Sequence, residues 1–130
     1  MYVAASNGMT PVMTGTNTAG KPIKIGAIPT AIAITPAGTT AYIADEHPAT
    51  VTPVATVTGT PGKPINIGGT PVAIAITPDG KTANVATSAY IVGRCAGCAV
   101  GAVIPVATAT GTPGKPINIG RIPKGIAIAP

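Results

Sequence analysis

The chain of 130 residues contains no phenylalanine and no tryptophan, and only three tyrosines. Any core must therefore be built from many Ile, Val and Ala side chains, each burying less area than an aromatic ring would. The same lack removes the stacking platforms on which single-stranded nucleic acid is held. Acidic residues are almost as scarce: three Asp and Glu stand against eight Lys and Arg, for a net charge of +5. That balance invites a nucleic-acid reading. The cations, however, are scattered singly along the chain and belong to no recognition motif, so no nucleic-acid partner is expected. Long hydrophobic runs are also missing. The stretch CAGCAVGAVIPVATATGTPG is uncharged but broken by Gly, Pro and Thr, whereas a membrane helix needs about 20 predominantly apolar residues. No membrane span is expected. The N-terminal MYVAASNGM has neither a basic region nor an apolar run of signal-peptide type, so an export signal would have to lie outside this stretch.

What is present is repetitive. Hydrophobic residues make up 45% of the chain, with 17 Gly and 15 Pro. That much Gly and Pro approaches the composition of disordered chains, but the apolar residues alternate regularly, which argues for folded β-structure. GTPGKPINIG occurs twice, at Gly59–Gly68 and Gly111–Gly120, and GTNTAGKPIKIG at Gly15–Gly26 is a looser copy. AIAITPAGTTAYIA (Ala31–Ala44) matches AIAITPDGKTANVA (Ala73–Ala86) at a shift of 42 residues. TVTPVATVTGTPGKPINIG (Thr50–Gly68) matches AVIPVATATGTPGKPINIG (Ala102–Gly120) at a shift of 52. The difference marks an insertion in the later unit, at Ser88–Ala102, in place of EHPAT (Glu46–Thr50).

A period near 42 with short alternating strands bounded by Gly and Pro is the grammar of propeller blades. The fold expected is all-β: a β-propeller array of four-stranded antiparallel blades that does not close a ring. Residues 1–130 read as a single repeat array. Residues 1–26 are strands two to four of one blade, 27–68 a full blade, 69–120 a full blade with the insertion 88–102, and 121–130 the first strand of a further blade. In the full unit the strands are AIAIT, Thr40–Ala44, Thr50–Thr56 and Lys63–Gly68. Strand four is the outer edge, where Lys21, Lys63 and Lys115 with Pro22, Pro64 and Pro116 would discourage pairing with other chains. GTPGK lacks the spacing and the following helix of a phosphate loop. Pro11, Pro53 and Pro105 fall inside strand three, where a proline removes a ladder hydrogen bond, and a bulge or strand break is expected there.

IAITPDGKTANVA, TPAGTTAYIA and TVTPVATVTGT together resemble the YVTN-type β-propeller repeat, across essentially the whole chain outside the insertion. Asn84 departs from that pattern by replacing the tyrosine of the repeat. The resemblance implies a seven-bladed type of ring, a place at the cell surface or outside the cell, and a binding or scaffolding role without catalysis. It also implies a competing class, since some relatives resemble lactone hydrolases. In that case the active site would lie in blades absent from this stretch. Twelve strands are three blade equivalents, fewer than the 4–8 blades of a closed propeller. Either further blades belong to the array, or the chain self-associates and two copies complete a six-bladed ring, Gly125–Ala129 of one pairing with Tyr2–Ala4 of the other.

No catalytic residue and no cofactor is expected. Weak candidates for metal are Cys95 and Cys98, a C-x-x-C pair, with His47. Four ligands are needed for a zinc site, and this set is short of them; thiols incidental to the insertion, or a disulfide, are the alternatives. His47 stands beside Asp45 and Glu46, a neighbourhood usable for acid–base chemistry but equally that of a solvated loop. Arg94, Arg121 and Lys124 would bind an acidic partner if they shared one surface. The partner expected is an unidentified protein or cell-surface component.

Overall fold

The computed structural model of the chain describes residues 1–6, 8–90 and 99–130. Among them there is no helix, only strands in three antiparallel sheets. The first sheet holds β1 (Tyr2–Ala5), β2 (Gly8–Met13) and β3 (Thr18–Ala19) in that order. The second holds β4 (Pro29–Ile34), β5 (Thr40–Asp45), β6 (Thr50–Ala55) and β7 (Thr60–Pro61), with β8 (Ile65–Asn66) also on β6. The third repeats this with β9 (Thr70–Ile76), β10 (Thr82–Tyr90), β11 (Ala99–Ala107), β12 (Thr112–Pro113) and β13 (Ile117–Gly120). Strand order follows chain order within each sheet, as in a propeller blade. The ring is not closed.

Turn chemistry fixes the first hairpin of each full blade. In TPAGT and TPDGK the amides of Gly38 and Gly80 donate to the carbonyls of Thr35 and Thr77, at 2.7 and 2.8 Å. Both glycines have φ near +70° (72° and 71°), which a side chain would oppose. Asp79 braces its turn: Thr77 Oγ1 donates to Asp79 Oδ1 at 2.6 Å and the Lys81 amide at 3.0 Å. These two donors hold the Asp79 carboxyl below the usual carboxylate range. The end of strand three locks onto the same turns, since Thr56 and Thr108 donate from Oγ1 to the carbonyls of Gly38 and Gly80.

Alternation along the strands feeds two cores, one at each seam between blades. Ala41, Ile43 and Val54 face the first sheet and bury Met9, with Tyr2, Ile23 and Ile25 packed alongside. The opposite face of the second sheet, with Tyr42, Ala44, Val51, Ile65 and Ile67, packs against Ile74, Val85, Ile104 and Val106 of the third. In β4, Ile32 joins the first core while Ala31 and Ala33 pack on the second. The small side lies where β4 and β9 approach one another.

Strand three is not bulged at its prolines. The β5–β6 register runs unbroken through Tyr42↔Pro53, and β10–β11 through Asn84↔Pro105. The carbonyl of Pro53 accepts from the Gly62 amide at 2.7 Å, so this residue's backbone points outward, and the ladder to β5 loses nothing. The interruption falls on strand four instead. Rather than one strand over Lys63–Gly68, it forms two short pieces, β7 and β8, that flank Gly62–Pro64 opposite the proline. β12 and β13 repeat the split around Pro105.

The insertion prolongs a hairpin: Ser88, Ala89 and Tyr90 pair with Gly101, Val100 and Ala99, giving β10 and β11 nine residues each. Residues 121–130 form no strand, having no ladder partner among the described residues.

Candidate functional site

The seams between blades open outward as two grooves of the same construction. One, of about 700 Å³, is lined by Tyr42, Pro53, Ile65, Thr108, Gly111 and Pro113, with Lys63 and Pro64 at its rim. The other, of about 620 Å³, is lined by the corresponding Tyr2, Pro11, Ile23, Thr56, Gly59 and Pro61, with Lys21 and Pro22. Two grooves built from the same repeat positions follow directly from duplication of one unit.

Three contacts build each groove. A tyrosine reaches forward across the seam: Tyr2 Oη donates to the Thr56 carbonyl at 2.8 Å and Tyr42 Oη to the Thr108 carbonyl at 3.2 Å. A buried phenol needs such a partner, and burial pushes the Tyr42 hydroxyl pKa up. An isoleucine seats on a glycine turn: Ile23 Cδ1 lies against Gly59 and Ile65 Cδ1 against Gly111. Both glycines have φ of 65°. Asn17 holds this position in the first blade with φ of 52°, which asparagine tolerates better than most residues. Finally, a glycine lies on a proline ring. A Cβ on Gly20, Gly62 or Gly114 would stand 2.9, 3.1 and 3.1 Å from Cγ of Pro11, Pro53 and Pro105. The repeated GTPGKPINIG is thus the inner wall of a seam groove as well as an outer edge. Val54 directs its own backbone groups to β5, so the missing N–H of Pro61 lies on the open edge.

A second feature lies at the turn between β5 and β6. Asp45 closes β5 and is fully buried, not part of a solvated loop. Neither carboxylate oxygen has a hydrogen-bond partner among the described residues. Burial pushes its pKa up, opposed by the nearby Gly26 backbone amide, which does not complete a hydrogen bond. Its repeat counterpart is the buried Thr87, whose Oγ1 donates to the Ala102 carbonyl at 3.3 Å. No alternation marks the burial of Asp45, since β5 is buried on both faces from Ala41 to Asp45. In front of Gly26 a groove of about 470 Å³ is lined by Lys24, Ile25, Gly26, Ala27, His47 and Pro48. His47 is exposed there and Glu46 half-buried.

Of the weak metal candidates, His47 is thus at the second blade's turn, while Cys95 and Cys98 lie outside the described residues, as does Arg94. Arg121 and Lys124 are both exposed on the segment after β13. Among the described residues no three of His, Cys, Asp and Glu come together, and no helix is long and apolar enough to cross a membrane.

No protein-family model matches the chain, and no curated protein matches its sequence. Solved structures do. A hydrazine synthase chain from Kuenenia stuttgartiensis superposes with a TM-score of 0.81 at 28% identity, over 92% of this chain and 32% of that one. A protein named as a candidate 6-phosphogluconolactonase from Bacteroides uniformis matches with a TM-score of 0.65 at 18% identity, over 94% of this chain and 37% of that one. The tricorn protease matches with a TM-score of 0.63 at 15% identity, over 86% of this chain and 11% of that one. The present chain therefore spans a third or less of the first and last of these and little more of the other. The likenesses agree with propeller-like blades.

Proposed function

We propose that the chain is a non-enzymatic binding or scaffolding module, a portion of a YVTN-like β-propeller displayed at the cell surface or outside the cell. The observation that carries this reading is the pair of seam grooves with the same lining. Repetition of one concave surface at a fixed spacing suits contact with an extended partner. Lys21 and Lys24 stand on one groove and Lys63 on the other, and the chain carries +5, so an anionic partner is favoured electrostatically. Polyglutamate and polylysine serve as probes. The immobilised chain retains polyglutamate and not polylysine, and each of Lys21→Glu and Lys63→Glu weakens retention about two- to fivefold, the scale of an exposed ion pair. Equal retention of both polymers, or no effect of either substitution, would overturn the reading.

A second reading is favoured by the likeness to the Bacteroides uniformis protein: a lactonase-like hydrolase whose active site lies in blades outside this stretch. At 18% identity that likeness extends to the fold, and function belongs to sites rather than folds. Hydrolysis of 6-phosphogluconolactone by a chain that carries such further blades, followed by release of acid, distinguishes the two. The binding reading expects no rate above the uncatalysed reaction there, and a rate that is lost when those blades are removed would favour the hydrolase.

A further inference from the structure

A short linker leads out of each blade, and its first copy is built differently from the others. In the INIG of the second and third blades, Asn66 and Asn118 accept through Oδ1 from the amides of Gly68 and Gly120, both at 2.9 Å. These glycines have φ of 69° and 86°, in the left-handed region that glycine enters freely. Side chain and glycine together brace the turn. In the first blade the motif reads IKIG, and Lys24 stands where the asparagine would. A lysine side chain has no acceptor to offer, and Gly26 does not adopt a positive φ. The first linker is therefore without this brace, and Ala27 and Ile28 lie exposed on it.

What lies beneath the linker differs as well. Under the second linker, Gly69 stands over Thr87, where a Cβ would come 3.3 Å from both Cβ and Oγ1 of the threonine. Thr87 is neutral, and its hydroxyl donates to the Ala102 carbonyl. Under the first linker, Gly26 stands over Asp45, so close that a Cβ would fall against the carboxyl group and 2.7 Å from the Asp45 Cβ. Asp45 is fully buried, and its oxygens have no partner among the described residues. The ends of this linker are fixed, Ile25 against the first core and Pro29 in the ladder opposite Asp45. Between them, two hydrogen bonds tie it to the turn: the Ala27 amide donates to the His47 carbonyl at 3.2 Å, and the Glu46 amide to the Ile28 carbonyl at 2.9 Å. β4 and β6 hold β5 from either side, so the linker is the part of the cover that can move.

We propose that residues 26–28 form a proton-controlled strap, closed over Asp45 while its carboxyl is protonated and released to admit water when it ionises. A desolvated carboxylate without donors is costly, and lifting the unbraced strap hydrates it at the loss of few bonds. The charged groups that face Asp45 are Lys24 at the foot of the strap and Glu46 and His47 on its own turn; β4, β6 and β9 carry none. Burial raises the Asp45 pKa, so the closed strap retains the proton and the open one gives it up. Closure is complete below the ordinary carboxylate range and weakens as pH rises toward the raised value. Gly26 and Ala27 also wall the groove beside His47, so release reshapes that groove. The strap is independent of any ligand in the seam grooves.

The test is amide hydrogen exchange of the chain, read by mass spectrometry over a series of pH values, each rate normalised to the intrinsic rate at that pH. The peptide that contains Ala27 is expected to lose protection as pH rises, by up to about tenfold per unit, the limit for one proton. The peptide over residues 66–70, at the braced linker above Thr87, is expected to stay constant. Asp45→Asn is expected to abolish the pH dependence at Ala27. Lys24→Asn supplies the missing brace and is expected to raise protection there about two- to fivefold at neutral pH, the scale of a capping bond. Lys24→Gln removes the same charge without the reach for that turn and is expected to restore less. Protection at Ala27 that is independent of pH, the same dependence in Asp45→Asn, equal effects of Lys24→Asn and Lys24→Gln, or a loss shared equally by β5 and β6 would each overturn the proposal.

Discussion

At Asp45 a carboxylate is held out of water with no hydrogen-bond partner among the described residues, and the consequence is a stability that depends on pH. Its pKa is raised in the folded chain, so folding favours the protonated form. This group's contribution is fully present below the ordinary carboxylate range and is lost as pH rises through the raised value. Asp45→Asn, neutral throughout, is expected to stabilise the chain at pH 7 by about 1–3 kcal/mol, the scale of an unsatisfied buried polar group. The gain in Tm should shrink as the pH is lowered toward 4. A difference in Tm that is constant with pH would show that the carboxyl titrates alike in the folded and unfolded chain. Asp79 acts in the opposite direction. Its pKa is lowered by Thr77 and Lys81, so its support of the turn is present at neutral pH and lost in acid. Tyr42 supplies a test of the seam. Tyr42→Phe keeps the ring and deletes the hydroxyl bonded to the Thr108 carbonyl, for an expected loss of about 0.5–1.5 kcal/mol in denaturant unfolding.

Individual elements divide sharply between those the sequence announces and those it conceals. β4, β5 and β6 follow from two-residue alternation bounded by turn residues, and the structure places them over Pro29–Ile34, Thr40–Asp45 and Thr50–Ala55. Strand four was legible as an edge but not as two pieces, because the cause lies across the ladder. Proline at 53 has no N–H to offer on the side where strand four runs, and no local pattern in GTPGKPINIG reports what stands opposite it. The seam grooves were concealed for the same reason: Tyr2 and Tyr42 act on carbonyls 54 and 66 residues away. Asp45 was hidden by its neighbours Glu46 and His47, which do face solvent. At the glycine turns, Gly111→Ala forces a side chain into φ of 65° and is expected to cost about 1–2 kcal/mol. Asn17→Gly, at the equivalent turn, is expected to be nearly neutral or slightly favourable. Thermal unfolding of the two variants checks the contrast, and equal effects would mean that backbone conformation is not what these turns select.

For the molecule as a whole, protection against hydrogen exchange should be uneven. The second sheet is flanked by both cores and supplies most of the fully buried residues, including Ile43, Val51 and Val54. Among the described residues the first sheet has three strands and an unpaired inner edge. Amides of β5 and β6 are expected to exchange only on global unfolding, and those of β1 and β3 through local opening. Uniform exchange across the three sheets in mass spectrometry would contradict this. The Gly62–Pro53 contact adds a constraint between two sites. With the ring in place, alanine at 62 would bring its Cβ to 3.1 Å from Cγ of the proline; with the ring gone first, a strand that has already parted around it keeps a gap without a reason. The two sites are therefore coupled, and the double variant Gly62→Ala/Pro53→Ala should cost less than the sum of its parts.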